Sequence, residues 1–214
     1  MDIVIYGCTM FSSEMKSIIE SEIGGGKVIA FTLDREYIQD VTYDGLPIYP
    51  FEELEKFIDK SSTEILLTLG YSGMNSVREQ KYKICIKNGF KVCTFVSTRA
   101  LVYSDKIAEG CIIMPGSYIG PYCNLGKCNI IKYGVSLSHH IELGNFNWIA
   151  GGTIFGGGVK VGNNCFIGLS NTIKNEVTIA DRTFVGAKSY ISRNTDCDCA
   201  YMGIPAKKYQ RDPL

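Results

Sequence analysis

His139 and His140 stand side by side and are the only imidazoles in a chain of 214 residues. Imidazole titrates close to neutral pH, which makes it the side chain best suited to take a proton from a reacting group. A three-histidine zinc centre is excluded by counting, because there is no third histidine. Three steps of six beyond His139 lies Gly157, the middle of Gly156-Gly157-Gly158. A glycine run bares backbone N–H groups, with no side chain to hold a ligand away. An imidazole beside such a run supplies a base and an oxyanion donor, which is what acyl transfer requires. The nine cysteines are scattered. Cys197 and Cys199 form a lone Cys-x-Cys with no second pair to complete a four-ligand site, so no metal is expected. The other thiols read as small buried hydrophobes of a reducing compartment.

Something must carry His139 and Gly157 to the same place, and the second half of the chain holds it. Stepping by six from Leu101 to Ile191 meets sixteen large apolar residues in succession, among them Ile107, Ile113, Ile131, Leu137, Phe155, Ile173 and Val185. A helix returns apolar residues at three and four, an antiparallel strand at two. A gapless period of six means a short strand and a corner, repeated, with three such units closing each coil. Four residues after each large residue comes a small or β-branched one, such as Cys111, Ser117, Thr153 or Val159. Asn129, Asn147 and Asn171 share that phase, which suits stacked amide ladders. Coils stacked about 4.8 Å apart make a prism on the order of 25 Å tall. Leu137 points inward, and His139, two residues on, is expected to point outward from the prism. One coil further falls Gly157. No cysteine shares the outward phase beside His139, which disfavours a cysteine nucleophile.

The first half alternates strand and helix. Strands are expected at 2–6, 27–33, 64–69 and 91–95. Helices are expected at 14–22, capped by Ser12 or Ser13 and ended by Gly24-Gly25-Gly26, at 51–60 and at 78–88. This is the pattern of a small parallel α/β domain, whose ligands bind beyond the carboxyl ends of the strands. Gly7, Asp34 and Gly70 mark that edge. The turn Gly7-Cys8-Thr9-Met10-Phe11-Ser12 has one glycine, which argues against a dinucleotide fingerprint.

Lys and Arg (22) balance Asp and Glu (22), leaving no global attraction for nucleic acid or an anionic membrane. No apolar run approaches the length of a membrane span, and no leader is read at the start, so a cytoplasmic protein is expected.

With these features in place, the chain resembles the bacterial sugar O-/N-acyltransferases of the sialic acid O-acetyltransferase type, within the hexapeptide-repeat superfamily. The likeness rests on the opening strand and its Gly7 turn, on Gly45-Leu46-Pro47-Ile48, and on Ser97-Thr98-Arg99-Ala100-Leu101-Val102. The sixfold repeat and the closing Tyr201-Met202-Gly203-Ile204-Pro205-Ala206-Lys207 complete it. The resemblance implies an α/β, Rossmann-like N-terminal domain (1–96) that binds the acceptor. A left-handed parallel β-helix (97–214) carrying the acyltransferase activity is implied to follow. It implies a homotrimer with acetyl-CoA in the groove between neighbouring prisms. Carried over residue by residue, His139 is the general base, Gly157 the oxyanion glycine, and Trp148, Leu169 and Ala187 contact acetyl-CoA. The sugar-nucleotide cleft maps to Gly7, Asp34 and Gly70.

The implied reaction is direct acetyl transfer to an amino or hydroxyl group of a nucleotide-linked sugar. The alternatives are a non-catalytic trimeric binding or scaffold protein that kept the β-helix, and an acyltransferase for a non-nucleotide acceptor. Two positions depart from the family pattern. The acidic residue that follows the catalytic histidine is His140 here, with Glu142 two residues further on. The glycine-rich, histidine-containing turn after the first strand is Cys8-Thr9-Met10-Phe11.

Overall fold

The computed structural model describes residues 1–24 and 26–210. Gly25 of the expected helix stop and residues 211–214 of the expected second domain lie outside the described residues. The chain divides into two units. One comprises Met1–Gly70 with Gln80–Cys93, the other Tyr71–Glu79 with the chain from Thr94 onward. The second unit thus begins three residues before the expected Ser97, and it also takes a short segment out of the first.

In the first unit, β1 (Asp2–Tyr6) leads into helix α1 (Met10–Ser21) and returns as β2 (Lys27–Leu33). A short antiparallel pair follows, β3 (Thr42–Tyr43) and β4 (Leu46–Pro50), then β5 (Thr63–Leu67), helix α2 (Ser76–Lys87), which belongs to this unit from Gln80 onward, and β6 (Lys91–Val92). The strands lie in the order β3-β4-β2-β1-β5-β6, and every neighbouring pair except β3–β4 is parallel. Ile3, Val4, Ile5, Ile65 and Leu66 are fully buried, consecutive residues included, as in a sheet covered on both faces.

Three expectations shift. Helix α1 starts at Met10, because Thr9 rather than Ser12 or Ser13 is its N-cap. The Thr9 hydroxyl accepts from the Ser12 amide, and the Ser12 hydroxyl accepts from the Thr9 amide, a reciprocal capping box. The helix expected at 51–60 is a 3-10 turn over Phe51–Lys56. The strand expected at 91–95 is split: β6 stops at Val92, and Phe95–Val96 pairs with Ile112–Ile113 in the second unit.

The second unit winds two-residue strands into three parallel sheets. Trp148–Ile149 pairs with Ile130–Ile131 and Phe166–Ile167, Ile154–Phe155 with Ser136–Leu137 and Thr172–Ile173, and Lys160–Val161 with Glu142–Leu143 and Thr178–Ile179. Every one of these registers advances by three repeats of six, so one coil is three strands and three corners. The interior is the expected column, in which Ile113, Ile131, Leu137, Phe155, Ile167 and Val185 are fully buried. Its first member is an exception. Ile119 lies opposite Val102, one position short of a full coil, so Val102 packs against the column while Leu101 is 61% exposed. The repeat therefore runs from Ile107.

Asparagine ladders form as expected, on two sides of the prism. Asn129 Oδ1 accepts from Asn147 N–H at 2.9 Å and Asn147 Oδ1 from Cys165 N–H at 2.7 Å. Asn171 Oδ1 accepts from Ser189 N–H at 2.6 Å on another side. Arg78 lends the same service from outside the repeat. Its guanidinium, only 1% exposed, donates to the carbonyls of Cys128, Phe146 and Asn147.

Candidate active site

One corner of the prism collects the chemistry. His139 leaves the end of strand Ser136–Leu137, is exposed, and lies one coil below Gly157. A side chain at Gly157 would meet His139 Cε1 and would come 2.5 Å from its Nε2 and 3.0 Å from its Nδ1. The imidazole therefore rests against the Gly157 α-carbon, and only a residue without a Cβ permits it.

Not every amide of the triplet is bare. Gly156 N–H donates to Ile173 O and Gly158 N–H to His139 O, both at 2.9 Å, so these two belong to the coil. Gly157 N–H has no acceptor among the described residues. The next corner shows the contrast. There, Lys127, Asn145 and Asn163 donate their amides to the side-chain oxygens of Asn145, Asn163 and Asp181, each one coil above. At the His139 corner the equivalent amide at Gly157 stays free, and Asn175 brings an exposed carboxamide one coil above it.

His140 follows in the left-handed conformation (φ +56°), which swings its ring back beside its neighbour. The two Nδ1 atoms lie 3.0 Å apart, and the rings are near perpendicular. The Tyr122 ring packs on His140 with centroids 4.7 Å apart. Tyr122 is one coil below His140, so the step that links His139 to Gly157 could have found it. Glu142, the nearest acid in sequence, pairs instead with Lys160 at 3.1 Å.

Trp148 and Leu169 share a cavity of about 250 Å³ whose other walls include Tyr71, Lys132, Tyr133 and Phe166. Tyr71 sits edge-on to Trp148 (5.7 Å) and tilted on Phe166 (4.5 Å), and Lys132 Nζ lies 5.9 Å from the Trp148 ring centre. Sequence reasoning missed Tyr71, because it stands outside the repeat. Ala187 is one coil above Leu169 and exposed, but it does not line the cavity. Neither His139 nor Gly157 lines it. The prism face that carries Ser136–Leu137 and Ile154–Phe155 separates the two places within one chain.

In the first unit, Gly7, Asp34 and Gly70 follow β1, β2 and β5, three adjacent strands, at one edge of the sheet. Gly7 holds φ +127°, and a Cβ there would come 3.0 Å from Thr68 Oγ1 and 3.1 Å from Ser12 Oγ. Asp34 accepts hydrogen bonds from the Tyr6 hydroxyl and the Lys81 ammonium. Burial, reinforced by the Asp34 carboxylate, holds the Tyr6 phenol protonated far above its usual range. Among the described residues no group of three or more His, Cys, Asp or Glu is placed to hold a metal, and no helix is long and apolar enough to cross a membrane.

The coils, their constant register and the corner site define a parallel β-helix of hexapeptide repeats preceded by a parallel α/β unit. No protein-family model matches the chain, and no curated protein sequence matches it. Solved structures do match in fold. The acetyltransferase domain of PglB from Neisseria gonorrhoeae, determined alone and with acetyl coenzyme A, superposes with TM-score 0.84. In the form without the coenzyme it is 19% identical, covering 97% of this chain and 99% of that one. A histidine-to-asparagine mutant of perosamine N-acetyltransferase from Caulobacter crescentus, in complex with CoA and GDP-perosamine, gives TM-score 0.86 at 22% identity, covering 98% and 97%. WeeI from Acinetobacter baumannii gives 0.78 at 18%, covering 98% and 100%. At these identities the likeness establishes the fold over almost the full length of both partners.

Proposed function

We propose that the protein is an acetyl-CoA-dependent acetyltransferase acting on an amino or hydroxyl group of a nucleotide-linked sugar. The observation that carries this reading is the unengaged Gly157 N–H, on a residue against which the nitrogen-bearing edge of His139 is packed. His139 Nε2 takes a proton from the acceptor as its nitrogen or oxygen attacks the thioester carbonyl. Gly157 N–H donates to the oxyanion of the tetrahedral intermediate. As the C–S bond breaks, the imidazolium returns the proton to the leaving thiolate, so coenzyme A departs as the thiol. No covalent acyl-enzyme is needed. The complexes of matching structures, one with acetyl coenzyme A and one with CoA and GDP-perosamine, support the co-substrate and the acceptor class.

The first unit binds the acceptor's nucleotide in this reading, at Gly7, Asp34 and Gly70. Its parallel strands follow the order of a Rossmann-like sheet, with β4, β2, β1, β5 and β6 standing as strands 3-2-1-4-5. The prism is left-handed, and the protein is a homotrimer. Support for the trimer comes from the separation of His139 and Gly157 from Trp148, Leu169 and Ala187 by a prism face. A cofactor that reaches both sets lies between two copies of the chain. A reducing, cytoplasmic setting accords with nine free thiols, six of them buried. The retained base and free amide favour this enzyme over a non-catalytic scaffold.

The test is His139→Ala, assayed with acetyl-CoA and a panel of UDP-, dTDP- and GDP-amino-sugars. Removing the base should lower the rate by about 10²–10⁴. A wild-type chain that neither binds acetyl-CoA in a calorimeter nor acetylates any of the panel would end this reading.

A further inference from the structure

We infer that His140 is a positioning residue that fixes the tautomer of His139, doing as a neutral hydrogen-bond acceptor what an acidic side chain does elsewhere. The inference rests on the reading of His139 as the base. Three observations lead to it. Nδ1 of His139 is 3.0 Å from Nδ1 of His140, so one ring donates and the other accepts. Of the two ring nitrogens of His139, Nε2 stands nearer to where a Gly157 side chain would lie, at 2.5 Å against 3.0 Å for Nδ1, and with Nδ1 held by His140 it is the one left open. Glu142, the nearest acid in sequence, is held by Lys160.

A base working through Nε2 needs that nitrogen bare, so the ring proton must sit on Nδ1. Nδ1–H then donates to His140, and His140 must be neutral with its own proton on Nε2. When His139 becomes an imidazolium during the reaction, the same hydrogen bond becomes charge-assisted and tightens. The reverse arrangement, with His140 donating from Nδ1, would force the His139 proton onto Nε2 and remove the base. The left-handed backbone at His140 and the Tyr122 ring against it hold the imidazole where Nδ1 faces its neighbour. The titratable and charged groups around the pair are Tyr122, Glu142, Lys160 and, beside Gly158, Glu176.

The chain holds two histidines, so an imidazole ¹⁵N spectrum of the ¹⁵N-histidine-labelled protein contains this pair alone. His140→Asn leaves a single imidazole and assigns the signals. At neutral pH the expected result is a protonated Nδ1 with a bare Nε2 on His139, and the opposite on His140. Asparagine places Oδ1, an acceptor only, where histidine has Nδ1, and it tolerates the left-handed backbone. His140→Phe keeps a ring for Tyr122 but offers no acceptor. The expected kcat of His140→Phe is about tenfold or more below wild type with the KM for acetyl-CoA unchanged, and His140→Asn recovers most of that loss. A proton on His139 Nε2, or a His140→Phe enzyme as fast as wild type, overturns the inference. Should the wild-type chain transfer no acyl group at all, the proposed function fails while the spectrum still decides the tautomer.

Discussion

The imidazole of His139 occupies the space that a side chain on Gly157, one coil further along the chain, would need. The position of the ring therefore depends on Gly157, since it is seated by the missing Cβ. Gly157→Ala leaves the amide in place but pushes the ring off it. We expect a fall in kcat of roughly 10²-fold or more, in the range seen when one oxyanion donor is lost. The melting temperature should move by only a few degrees, because the displaced ring is exposed and φ at Gly157 is not in the left-handed region. An alanine variant with near wild-type turnover would mean that ring and amide do not act together.

The ladder inside the prism is a stability device, and Asn147 tests it. Its Oδ1 accepts from Cys165 N–H and its Nδ2 donates to Gly162 O at 2.9 Å, with the residue itself fully buried. Asn147→Ala strands one buried donor and one buried acceptor, a loss of roughly 2–6 kcal/mol at 1–3 kcal/mol for each orphaned group. Asn145, on the half-buried corner ladder, accepts from the Lys127 amide and donates Nδ2 to Asn163 Oδ1, partners that water can serve. Asn145→Ala should therefore cost much less. Urea unfolding of the two variants side by side makes the comparison, and equal losses would remove the special role given to the buried ladder.

The interior was readable because a prism wall imposes one demand at every sixth position, and a large apolar side chain answers it wherever it recurs. The corner site was readable for a related reason: moving one coil on from His139 lands on Gly157. What escaped was set by interactions that do not repeat. Tyr71 reaches Trp148 from a segment that interrupts the α/β half, and Arg78 serves carbonyls 50 to 69 residues away. Helix α1 starts early because Thr9 and Ser12 cap each other, a pairing stronger than the lone serines read from the sequence. The free amide was over-read by two, since backbone pairing claims Gly156 and Gly158 and composition alone does not reveal it.

The first coil carries a sharper test of the same point. Leu101 keeps the sixfold phase yet is 61% exposed, while Val102, out of phase, packs on the column opposite Ile119. Leu101→Asn should change stability within about 0.5 kcal/mol, as ordinary surface substitutions do. Val102→Asn should cost on the order of 1–3 kcal/mol, because it brings an amide against the apolar column. Thermal unfolding separates the two. A greater loss at Leu101 than at Val102 would restore the uninterrupted phase and contradict the shortened first register.

Buried thiols give the fold an alkaline limit, and Cys165 is the clearest of them. Burial pushes its thiol up to about 12 from the ordinary 9.0, while Sγ donates to Ala180 O at 3.1 Å. Below pH 9 the thiol is protonated in both folded and unfolded chains, so it adds no pH dependence. Above that the unfolded chain loses the proton and the folded chain keeps it. The native state then binds one proton more, and stability falls as pH rises. The slope approaches about 1.4 kcal/mol per pH unit for a single thiol. Burial also pushes the Arg78 guanidinium down, to about 10. Comparing wild type with Cys165→Ala cancels that contribution, because both retain Arg78. The alanine variant loses packing at every pH, but its stability should decline less steeply than wild type from pH 9 upward. Parallel curves in urea titrations across that range would show that the Cys165 thiol ionises as readily in the folded protein as in the unfolded chain.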